Sequence, residues 1–556
     1  WSCRTESKLM LYKELKRMKN KIFRFAIIIG IFSMVVSCKN PKEKNNGQVQ
    51  SEQDTLASSN EALYRPNFHF TPATGWMNDP NGMFFYNGYY HLYFQHYPDG
   101  TTWGPMHWGH AISTDLFNWK EQPIALYPDD LGYIFSGSAV VDHENTSGFG
   151  ADGKTPIVAI LTSHDPKNEK TGEIDVENQS IAYSLDEGLT WTKYKDNPVL
   201  KNPGARDFRD PKVSWDEQRK RWTMVLAAGQ EIQFYISKDL KSWEKLTSFG
   251  EGIGNHDGVW ECPDFFQLPI IGSSEKKWVL LVSINPGGPN TGSATQYFVG
   301  DFDGSNFILD ESFKQEMGKE HSFWVDYGRD DYAGVTFSNI ENKDGSKLFM
   351  GWMSNWLYAN EVPTEKWRSA MTIARTLELT KGENTFRLVA NPVPELNEFA
   401  SEKLKNSDVL LEGKTLLTTS KAIDFTRAQI NFKVEDLVDG VYTFELSNSE
   451  GDSLRFGYDA TKGNYFVDRN KAGITDFSNK FSDRIAVAPR IASQNDWTGT
   501  IVIDKTSIEL FFDDGQTVMT EIFFPKAPFD SLYFEAPSEE SKLEYIEIHQ
   551  LKFNLN

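Results

Sequence analysis

A short turn that recurs along the chain constrains the fold more than any other sequence feature. It occurs over residues 113–119, 184–191 and 237–243, each time with Ser first, Asp two residues later and Trp at the end. Strand-turn-strand units that repeat in this way are typical of a β-propeller, whose blades surround a central axis. We interpret the Asp as an acceptor for backbone N–H groups and the Trp as packing between blades, so both are structural residues rather than catalytic ones.

The pattern of strands divides the chain into two predicted domains. Residues 64–393 consist of short strand-like runs separated by Gly, Asn, Asp and Pro, without the 3.6-residue period of a long helix, so the predicted class is all-β. Two prolines in 391–395 end this pattern, and beyond residue 406 the strands alternate inward and outward residues. The sequence therefore predicts a propeller over 64–393, a linker over 394–405 and a β-sandwich over 406–556.

The N-terminal part has the layout of an export signal followed by a tether. A basic segment precedes an apolar run over 25–36 that is too short to span a bilayer, and Ser37 and Cys38 follow it. Residues 35–38 resemble a bacterial lipobox, which makes 1–37 the leader and signal peptide and Cys38 the lipidation site. The polar segment 38–63 predicts a flexible tether. We expect an exported bacterial lipoprotein of the outer membrane, on its periplasmic or its surface face; a plain secreted protein is the alternative.

Charge and cysteine content narrow the classes of partner. The net charge is −21 at pH 7, so the surface repels phosphate backbones and anionic lipid, and nucleic acid is not expected to bind. A neutral polysaccharide is indifferent to this charge. Contact with a membrane is expected only through the N-terminal lipid. Cys3 is lost with the leader and Cys38 carries lipid, so Cys262 has no disulfide partner and we interpret it as a small packed residue.

Three acidic residues, each in an unusual local sequence, are the candidate catalytic groups. Asp79 lies in Trp-Met-Asn-Asp-Pro-Asn-Gly, Asp210 in Arg-Asp-Pro and Glu261 in Trp-Glu-Cys-Pro-Asp. Their neighbours favour tight, aromatic-walled loops at strand ends. Because the loops of successive blades converge at one end of a propeller, we expect the three acids to meet. Two such carboxyl groups are what cleavage of a glycosidic bond with retained configuration requires.

The local sequence also predicts a protonation state for each acid. Turn residues around Asp79 can donate hydrogen bonds that keep its carboxylate ionised, as a nucleophile requires. Apolar neighbours flank Glu261, which predicts a raised pKa and the role of general acid. Asp210 follows Arg209, and an ion pair between them would keep Asp210 charged. A charged Asp210 would accept substrate hydroxyls and stabilise positive charge in the transition state.

Together these segments resemble the signature motifs of family 32 glycoside hydrolases, the invertases, inulinases and levanases that act on β-fructofuranosides. The resemblance covers about residues 64–555. It implies a five-bladed β-propeller followed by a C-terminal β-sandwich, with Asp79 as nucleophile, Glu261 as acid/base and Asp210 as transition-state stabiliser. It implies no metal and no other cofactor. The residues that match the family's fructose-binding subsite are Trp76, Asn78, Gln95, Trp103, Phe135, Ser136, Arg209 and Trp356.

By this resemblance the chain is expected to release fructose from the non-reducing ends of inulin, levan and fructo-oligosaccharides, and from sucrose. Segments 177–184 and 256–260 look like those of exo-acting fructanases, which favours exo action. An endo-acting enzyme and a fructosyltransferase are alternatives on the same scaffold. A lipid-anchored glycan-binding protein is the alternative from another class, and loss of an acid would be its signature; all three acids are present. Linkage preference and oligomeric state stay open.

Overall fold

The computed structural model describes residues 61–319, 321–340, 342–410, 413–538 and 541–553. The leader, Cys38 and most of the tether over 38–63 lie outside the described residues. Within the described ranges nearly all regular structure is β-strand, so the predicted all-β class is confirmed. None of the helices in these ranges is long and apolar enough to cross a membrane.

Strands β1–β22 form five separate sheets. The first contains β1 (Gly75–Tyr86), β2 (Tyr89–Tyr97), β3 (His107–Ser113), β4 (Lys120–Leu126) and β19 (Trp367–Arg368). The second contains β5 (Tyr133–Val141), β6 (Ile157–His164), β7 (Glu177–Ser184) and β8 (Thr192–Lys193), and the third β9 (Phe208–Asp216), β10 (Arg221–Ala228), β11 (Glu231–Ser237) and β12 (Glu244–Phe249). The fourth contains β13 (Val259–Pro269), β14 (Lys276–Asn285), β15 (Ala294–Phe302) and β16 (Phe307–Leu309), and the fifth β17 (Tyr332–Thr336), β18 (Lys347–Met353), β20 (Ala370–Met371), β21 (Arg375–Lys381) and β22 (Phe386–Pro392).

The first strands of the five sheets close into a ring. β1, β5, β9, β13 and β17 contact one another in that order, and β17 contacts β1. The short strand β19 pairs in parallel with β1, so a segment from the last part of the domain completes the first sheet. This arrangement is the predicted propeller-like domain, and the number of sheets equals the number of blades that the resemblance implies.

The Asp residues of the repeated turns accept backbone N–H groups, as the sequence predicts. Asp115 Oδ1 accepts hydrogen bonds from the backbone N–H groups of Phe117 at 3.0 Å and Asn118 at 2.7 Å. Trp119 Nε1 donates to the carbonyl oxygen of Leu116 at 2.8 Å, so the Trp closes the same turn. The turn at 237–243 repeats both features. These Asp and Trp side chains therefore fix the turns and are not available for catalysis.

The C-terminal strands form the predicted β-sandwich. One sheet has the order β23 (Ala400–Leu410), β34 (Lys542–Leu551), β25 (Arg427–Glu435), β30 (Trp497–Asp504), β31 (Ser507–Phe512), β32 (Thr517–Ile522). The other has the order β24 (Lys414–Thr419), β33 (Ser531–Glu535), β26 (Val441–Ser447), β27 (Ser453–Asp459), β28 (Asn464–Lys471), β29 (Ala486–Pro489). Phe432 of the first sheet packs on Phe444 of the second, with ring centroids 4.9 Å apart, which places the core between the sheets.

Helical residues 61–64, two further short helices and a 3-10 helix complete the described elements. Helix α1 (Pro166–Thr171) is capped by Asp165 and ends at Gly172, and α2 (Glu311–Lys319) follows β16. The 3-10 helix Pro394–Glu398 and the first part of β23 occupy residues 394–405, which the sequence predicted as a linker. Ala400 pairs with Leu551, so the sandwich sheet begins before residue 406. Because β23 is an edge strand, it carries many polar side chains. It therefore lacks the hydrophobic alternation by which a strand is recognised in a sequence.

Candidate active site

The three predicted acids lie near the first residues of three strands of the ring. Asp79 belongs to β1, Asp210 to β9 and Glu261 to β13, and all three line one pocket of about 410 Å³. This pocket therefore opens at the end of the ring where these strands begin. The structure brings the three acids together as the propeller topology requires.

Each strand of the ring is irregular at the point where it reaches the pocket. The pairing register shifts between Met77 and Pro80 in β1, and corresponding shifts occur in β5, β9, β13 and β17. Asp210 and Cys262 have positive φ angles of 65° and 44°. Bulges of this kind turn side chains out of the alternation of a strand. Proline after each acid removes a ladder donor and marks the bulge in the sequence, as Pro80 does after Asp79.

The carboxylate of Asp79 accepts hydrogen bonds from Ser136, from Asn78 and, at 3.5 Å, from the Cys262 thiol. Ser136 Oγ donates to Asp79 Oδ2 at 2.6 Å, and Asn78 Nδ2 donates to Asp79 Oδ1 at 2.9 Å. Trp76 Nε1 donates in turn to Asn78 Oδ1 at 2.7 Å. The bonds from Asn78 and Ser136 orient the Asp79 carboxylate towards the pocket. They hold it to two strands, β1 through Asn78 and β5 through Ser136.

The position of Trp76 differs from the prediction that this side chain binds substrate. It is fully buried and does not line the pocket. Its ring stacks on Trp356 with centroids 5.7 Å apart, and Trp356 does line the pocket. Trp352, the competing Trp of that segment, is fully buried. Trp76 thus supports Asn78 and Trp356 from behind, because its side chain points into the ring rather than into the pocket.

Glu261 has a hydrogen-bond donor on each carboxylate oxygen. Arg209 Nη2 donates to Oε1 at 2.9 Å, and the Tyr332 hydroxyl donates to Oε2. Burial raises the pKa of Glu261 above its usual range, while Arg209 and Tyr332 oppose that rise. The predicted raised pKa is confirmed, and burial is its cause. A carboxyl with a raised pKa is suited to give up and take back a proton near neutral pH.

The predicted ion pair between Arg209 and Asp210 is present at 4.0 Å, but it does not keep the pKa of Asp210 low. Arg209 directs Nη1 to Glu177 Oε1 at 3.0 Å and to Asp207 Oδ1 at 2.8 Å, while only its Nε approaches Asp210, at 4.0 Å. Burial raises the pKa of Asp210 to about 8, because Arg209 is shared among several carboxylates and Glu261 and Asp79 add negative charge nearby. This raised pKa favours the protonated form of Asp210 in the unliganded pocket.

Cys262 is the packed residue that the sequence predicts. Its Sγ lies 3.5 Å from Asp79 Oδ2 and 3.6 Å from Asp210 Oδ2, and its backbone N–H donates to Asp210 Oδ2 at 3.0 Å. Burial raises the pKa of the Cys262 thiol well above its ordinary value, and the neighbouring carboxylates raise it further. A protonated thiol has little nucleophilic character, so Cys262 acts here as a spacer between two acids.

The remaining predicted residues form the walls and the rim of the pocket. Trp103 is 41% exposed and meets the edge of Phe135, and Phe135 stacks on His164 with ring centroids 4.2 Å apart. The connection that contains α1 supplies the opposite wall, where Ile174 is 42% exposed. The predicted residues that line this pocket are Asn78, Gln95, Trp103, Phe135, Ser136, Arg209 and Trp356.

Sequence reasoning did not find four side chains that shape this site. Tyr332 contacts Glu261, Glu177 and Asp207 bind Arg209, and His164 supports Phe135. The only sequence signal was weak: Glu177 lies in a segment already noted for its likeness to exo-acting enzymes. Tyr332 opens β17 after Asp330 and Asp331, but no proline follows it, so the signal that marks the three acids is missing from its segment.

A second, larger cavity of about 940 Å³ lies where the same strands end. Phe85 of β1, Val141 of β5, Trp215 of β9 and Phe266 of β13 line it, and none of the three acids does. The candidate chemistry is therefore confined to the smaller pocket at the other end of the ring.

Comparison with known proteins agrees with this geometry. Residues 69–392 match the "Glycosyl hydrolases family 32 N-terminal domain" and residues 395–550 match "Glycosyl hydrolases family 32 C terminal". The chain is 45% identical over 492 residues to a levanase of Bacillus subtilis, across 88% of this chain and 70% of the levanase. It is 39% identical over 489 residues to an extracellular exo-inulinase of Aspergillus niger, across 83% of this chain and 90% of the exo-inulinase.

A solved structure of similar fold is that of a fructofuranosidase variant from Schwanniomyces occidentalis complexed with fructosylnystose. The two structures have a TM-score of 0.79 and 36% sequence identity, over 89% of this chain and 99% of that one. The fold and pocket define a glycoside hydrolase, and the sequence matches cover most of the chain. This chain belongs to glycosyl hydrolases family 32.

Proposed function

We propose that the chain is an exo-acting fructan hydrolase that works with retention of configuration. The observation that carries the proposal is the meeting of Asp79, Asp210 and Glu261 in one pocket, with donors placed on Asp79 and Glu261. A levanase and an exo-inulinase among its relatives support inulin-type and levan-type substrates, with fructose as the product.

The first step forms a fructosyl-enzyme. An oxygen of Asp79 attacks C2 of the terminal fructosyl unit, and the bond from C2 to the glycosidic oxygen breaks as Glu261 passes its proton to that oxygen. In the second step Glu261 removes a proton from water, the water oxygen bonds to C2, and the bond from C2 to Asp79 breaks. Each carboxylate oxygen of Glu261 has a second lone pair, so Arg209 and Tyr332 can remain in place through both steps.

The charge of the pocket favours a neutral substrate. Seven carboxyl side chains line it against two guanidinium groups, Arg206 and Arg209. An anionic sugar would be repelled by this lining, whereas positive charge that develops on the fructosyl ring would be stabilised. Asp210 is buried and has a raised pKa, so its carboxyl can accept hydrogen bonds from substrate hydroxyls and, when protonated, donate one.

The walls of the pocket support exo action. The connection between β6 and β7, which contains α1, places Glu173 and Ile174 against one side, and Trp103 and Trp356 stand at other sides. Such walls limit how much of a polymer can pass the acids, so a chain end is favoured over an internal unit. Family membership and the presence of all three acids leave a purely glycan-binding role without support.

A time course of products from inulin, levan and sucrose tests the proposal, with Glu261→Gln as the test variant. Glu187, an exposed residue of a blade turn, offers a matched Glu→Gln control. We expect fructose alone from the start with the wild type and the control, and no turnover of these substrates with Glu261→Gln. Early oligosaccharides would indicate endo action, transfer products would indicate a fructosyltransferase, and unchanged activity of Glu261→Gln would exclude the assigned acid/base.

We also propose that Cys38 anchors the enzyme to a bacterial outer membrane. The lipobox-like residues 35–38 and the polar segment after them support this location, and a relative described as extracellular supports export. Labelled palmitate should be incorporated into the expressed chain and lost in Cys38→Ala. Equal labelling of both would contradict the anchor.

A further inference from the structure

The six residues that precede Tyr332 lie along the edge of the sandwich. We name residues 326–331 the bridging segment. The backbone N–H of Tyr327 donates to Val518 O at 2.8 Å, and that of Asp330 donates to Thr520 O at 3.1 Å. Both acceptors belong to β32, the last strand of its sheet. The bridging segment thus pairs with an open sheet edge, although it belongs to the propeller chain.

Carboxylates of the bridging segment accept the N–H groups of the same edge. Thr520 N donates to Asp326 Oδ1 at 2.9 Å, and Ile522 N donates to Asp330 Oδ2 at 2.9 Å. Gly328 lies so close to Thr520 that an added Cβ would come within 2.2 Å of its backbone nitrogen. Four backbone groups that would otherwise be unpaired at this edge, on Val518, Thr520 and Ile522, are therefore hydrogen-bonded to the bridging segment.

Two buried arginines also bind the bridging segment. Arg375 Nη1 donates to Asp326 Oδ2 and to Asp331 Oδ2, both at 2.9 Å, and Arg375 Nη2 donates to Glu509 Oε2 of β31 at 2.5 Å. Arg469 Nη1, on β28, donates to Asp330 Oδ2 at 2.6 Å. Removal of one member from a buried network of ion pairs is strongly destabilising, because it leaves another charge unpaired.

Thr520 of the sandwich contacts both the bridging segment and Arg375. Its Oγ1 donates to Asp326 Oδ2 at 2.6 Å and accepts from Arg375 Nη2 at 2.7 Å. The side chain is fully buried. Asp331, which Arg375 binds, is joined by a peptide bond to Tyr332, whose hydroxyl donates to Glu261. An unbroken set of buried contacts thus leads from the sandwich edge to the acid/base.

We infer that the C-terminal sandwich is a positioning component of the active site: through Thr520 and the bridging segment it holds the Tyr332 hydroxyl on Glu261. This inference rests on the proposed function, because it assigns Glu261 as the acid/base. Thr520 is a positioning residue that touches neither substrate nor the reacting atoms. The sandwich then sets the proton affinity of a carboxyl that lies in another domain.

The expected direction follows from the groups that face Glu261. Tyr332 donates a hydrogen bond to its carboxylate and lowers its pKa, and Arg209 acts in the same sense. The other charged or titratable groups around it are Asp79 on β1, Asp210 on β9 and Cys262 on its own strand. A looser bridging segment weakens the Tyr332 bond alone, so the pKa of Glu261 rises. The alkaline limb of the pH profile of kcat/KM, which reports this acid in the free enzyme, then moves to higher pH.

The test compares three variants of the full chain. Thr520→Val removes the hydroxyl, Thr520→Ser retains it, and Thr517→Val removes a buried threonine hydroxyl from the same strand that donates to Pro489 O instead. We expect Thr520→Val to move the alkaline limb upward by about half a pH unit, roughly a threefold change in the acid dissociation constant. The limb should stay in place in Thr520→Ser and in Thr517→Val.

The same measurement in a Tyr332→Phe background separates this inference from the proposed function. If Thr520 acts through Tyr332, Thr520→Val adds no further shift there. A shift in Tyr332→Phe alone, with none in Thr520→Val, or a shift that adds to that of Tyr332→Phe, would overturn the inference and leave the assigned acid/base intact. No shift in Tyr332→Phe would overturn the inference, because Tyr332 would then not set the pKa of Glu261; the acid/base role of Glu261 is tested separately by Glu261→Gln.

A second pair of variants keeps the inference testable if Thr520→Val does not fold. Tyr358 donates its hydroxyl to Asp330 Oδ1 at 2.7 Å, whereas Tyr465 donates to Asp513, a carboxylate outside the bridging segment. Both tyrosines are fully buried, and an arginine binds each of the two aspartates. The upward shift should occur in Tyr358→Phe and not in Tyr465→Phe. Equal limbs in the two variants would overturn the inference.

Discussion

His69 joins the start of the propeller chain to the sandwich through two carboxylates, and its replacement gives a quantitative prediction. Its Nδ1 lies 2.8 Å from Asp504 Oδ2 and its Nε2 lies 2.8 Å from Glu509 Oε1. Both partners are acceptors, so the ring carries both protons. Burial alone would lower the pKa of His69, but the hydrogen bonds to Asp504 and Glu509 outweigh it and raise the pKa to about 9.

The raised pKa of His69 makes stability depend on pH with a definite sign. The folded-state pKa of about 9 exceeds the ordinary value of 6.5, so the contribution is complete below pH 6.5 and is lost as pH rises through 9. A difference of about 2.5 pH units corresponds to about 3 kcal/mol. An unfolding entropy of about 2 cal/mol/K per residue, over about 500 residues, converts this into about 3 °C in melting temperature.

Differential scanning calorimetry of the wild type and His69→Gln at pH 6 and pH 10 tests this reasoning. The gap between their melting temperatures should be about 3 °C larger at pH 6 than at pH 10. Exposed His143 provides the control, because His143→Gln should give the same gap at both pH values. A gap for His69→Gln that does not change with pH would refute the assignment of a buried imidazolium.

Three further predictions concern the pocket. Tyr332→Phe removes a hydrogen bond to a charged group, worth about 1.5 to 3 kcal/mol, so the alkaline limb of kcat/KM should rise by about 1 to 2 pH units; an unmoved limb would contradict this contact. Cys262→Ala should keep kcat within about tenfold of wild type, because Cys262 is a packed residue and not a nucleophile. Abolished turnover would contradict this assignment. Trp103→Ala should raise KM up to about tenfold for fructo-oligosaccharides and less for sucrose, because an exposed aromatic side chain at the rim binds the additional sugar units of the longer substrates. Equal effects on both substrates would contradict this role of Trp103.

The fold class and the three acids were accessible from the sequence because each leaves a local signal. Strand-like runs with turn residues between them predict an all-β chain, and a proline one or two residues after each of Asp79, Asp210 and Glu261 marks strands that bulge at the pocket. The raised pKa of Glu261 was accessible for a weaker reason. Apolar neighbours in sequence happened to coincide with burial in the fold.

Side-chain direction is what the sequence could not supply. Arg209 is next to Asp210 in the chain, yet its Nη1 donates to Glu177 and Asp207, and only its Nε approaches Asp210. Trp76 lies in the same motif as Asp79 but faces the interior of the ring. Contacts between distant segments set both outcomes, and no spacing within a motif records them.

Peptide mass spectrometry of a trapped intermediate tests the central claim most directly. Glu261→Gln is mixed with a β-fructofuranoside that has an activated leaving group, quenched with acid and digested. Since such a leaving group departs without a proton and the variant lacks the base for the second step, the account predicts a fructosyl adduct on the peptide that contains Asp79. An adduct on Asp210 or on another peptide, or turnover with no adduct at any time, would contradict it.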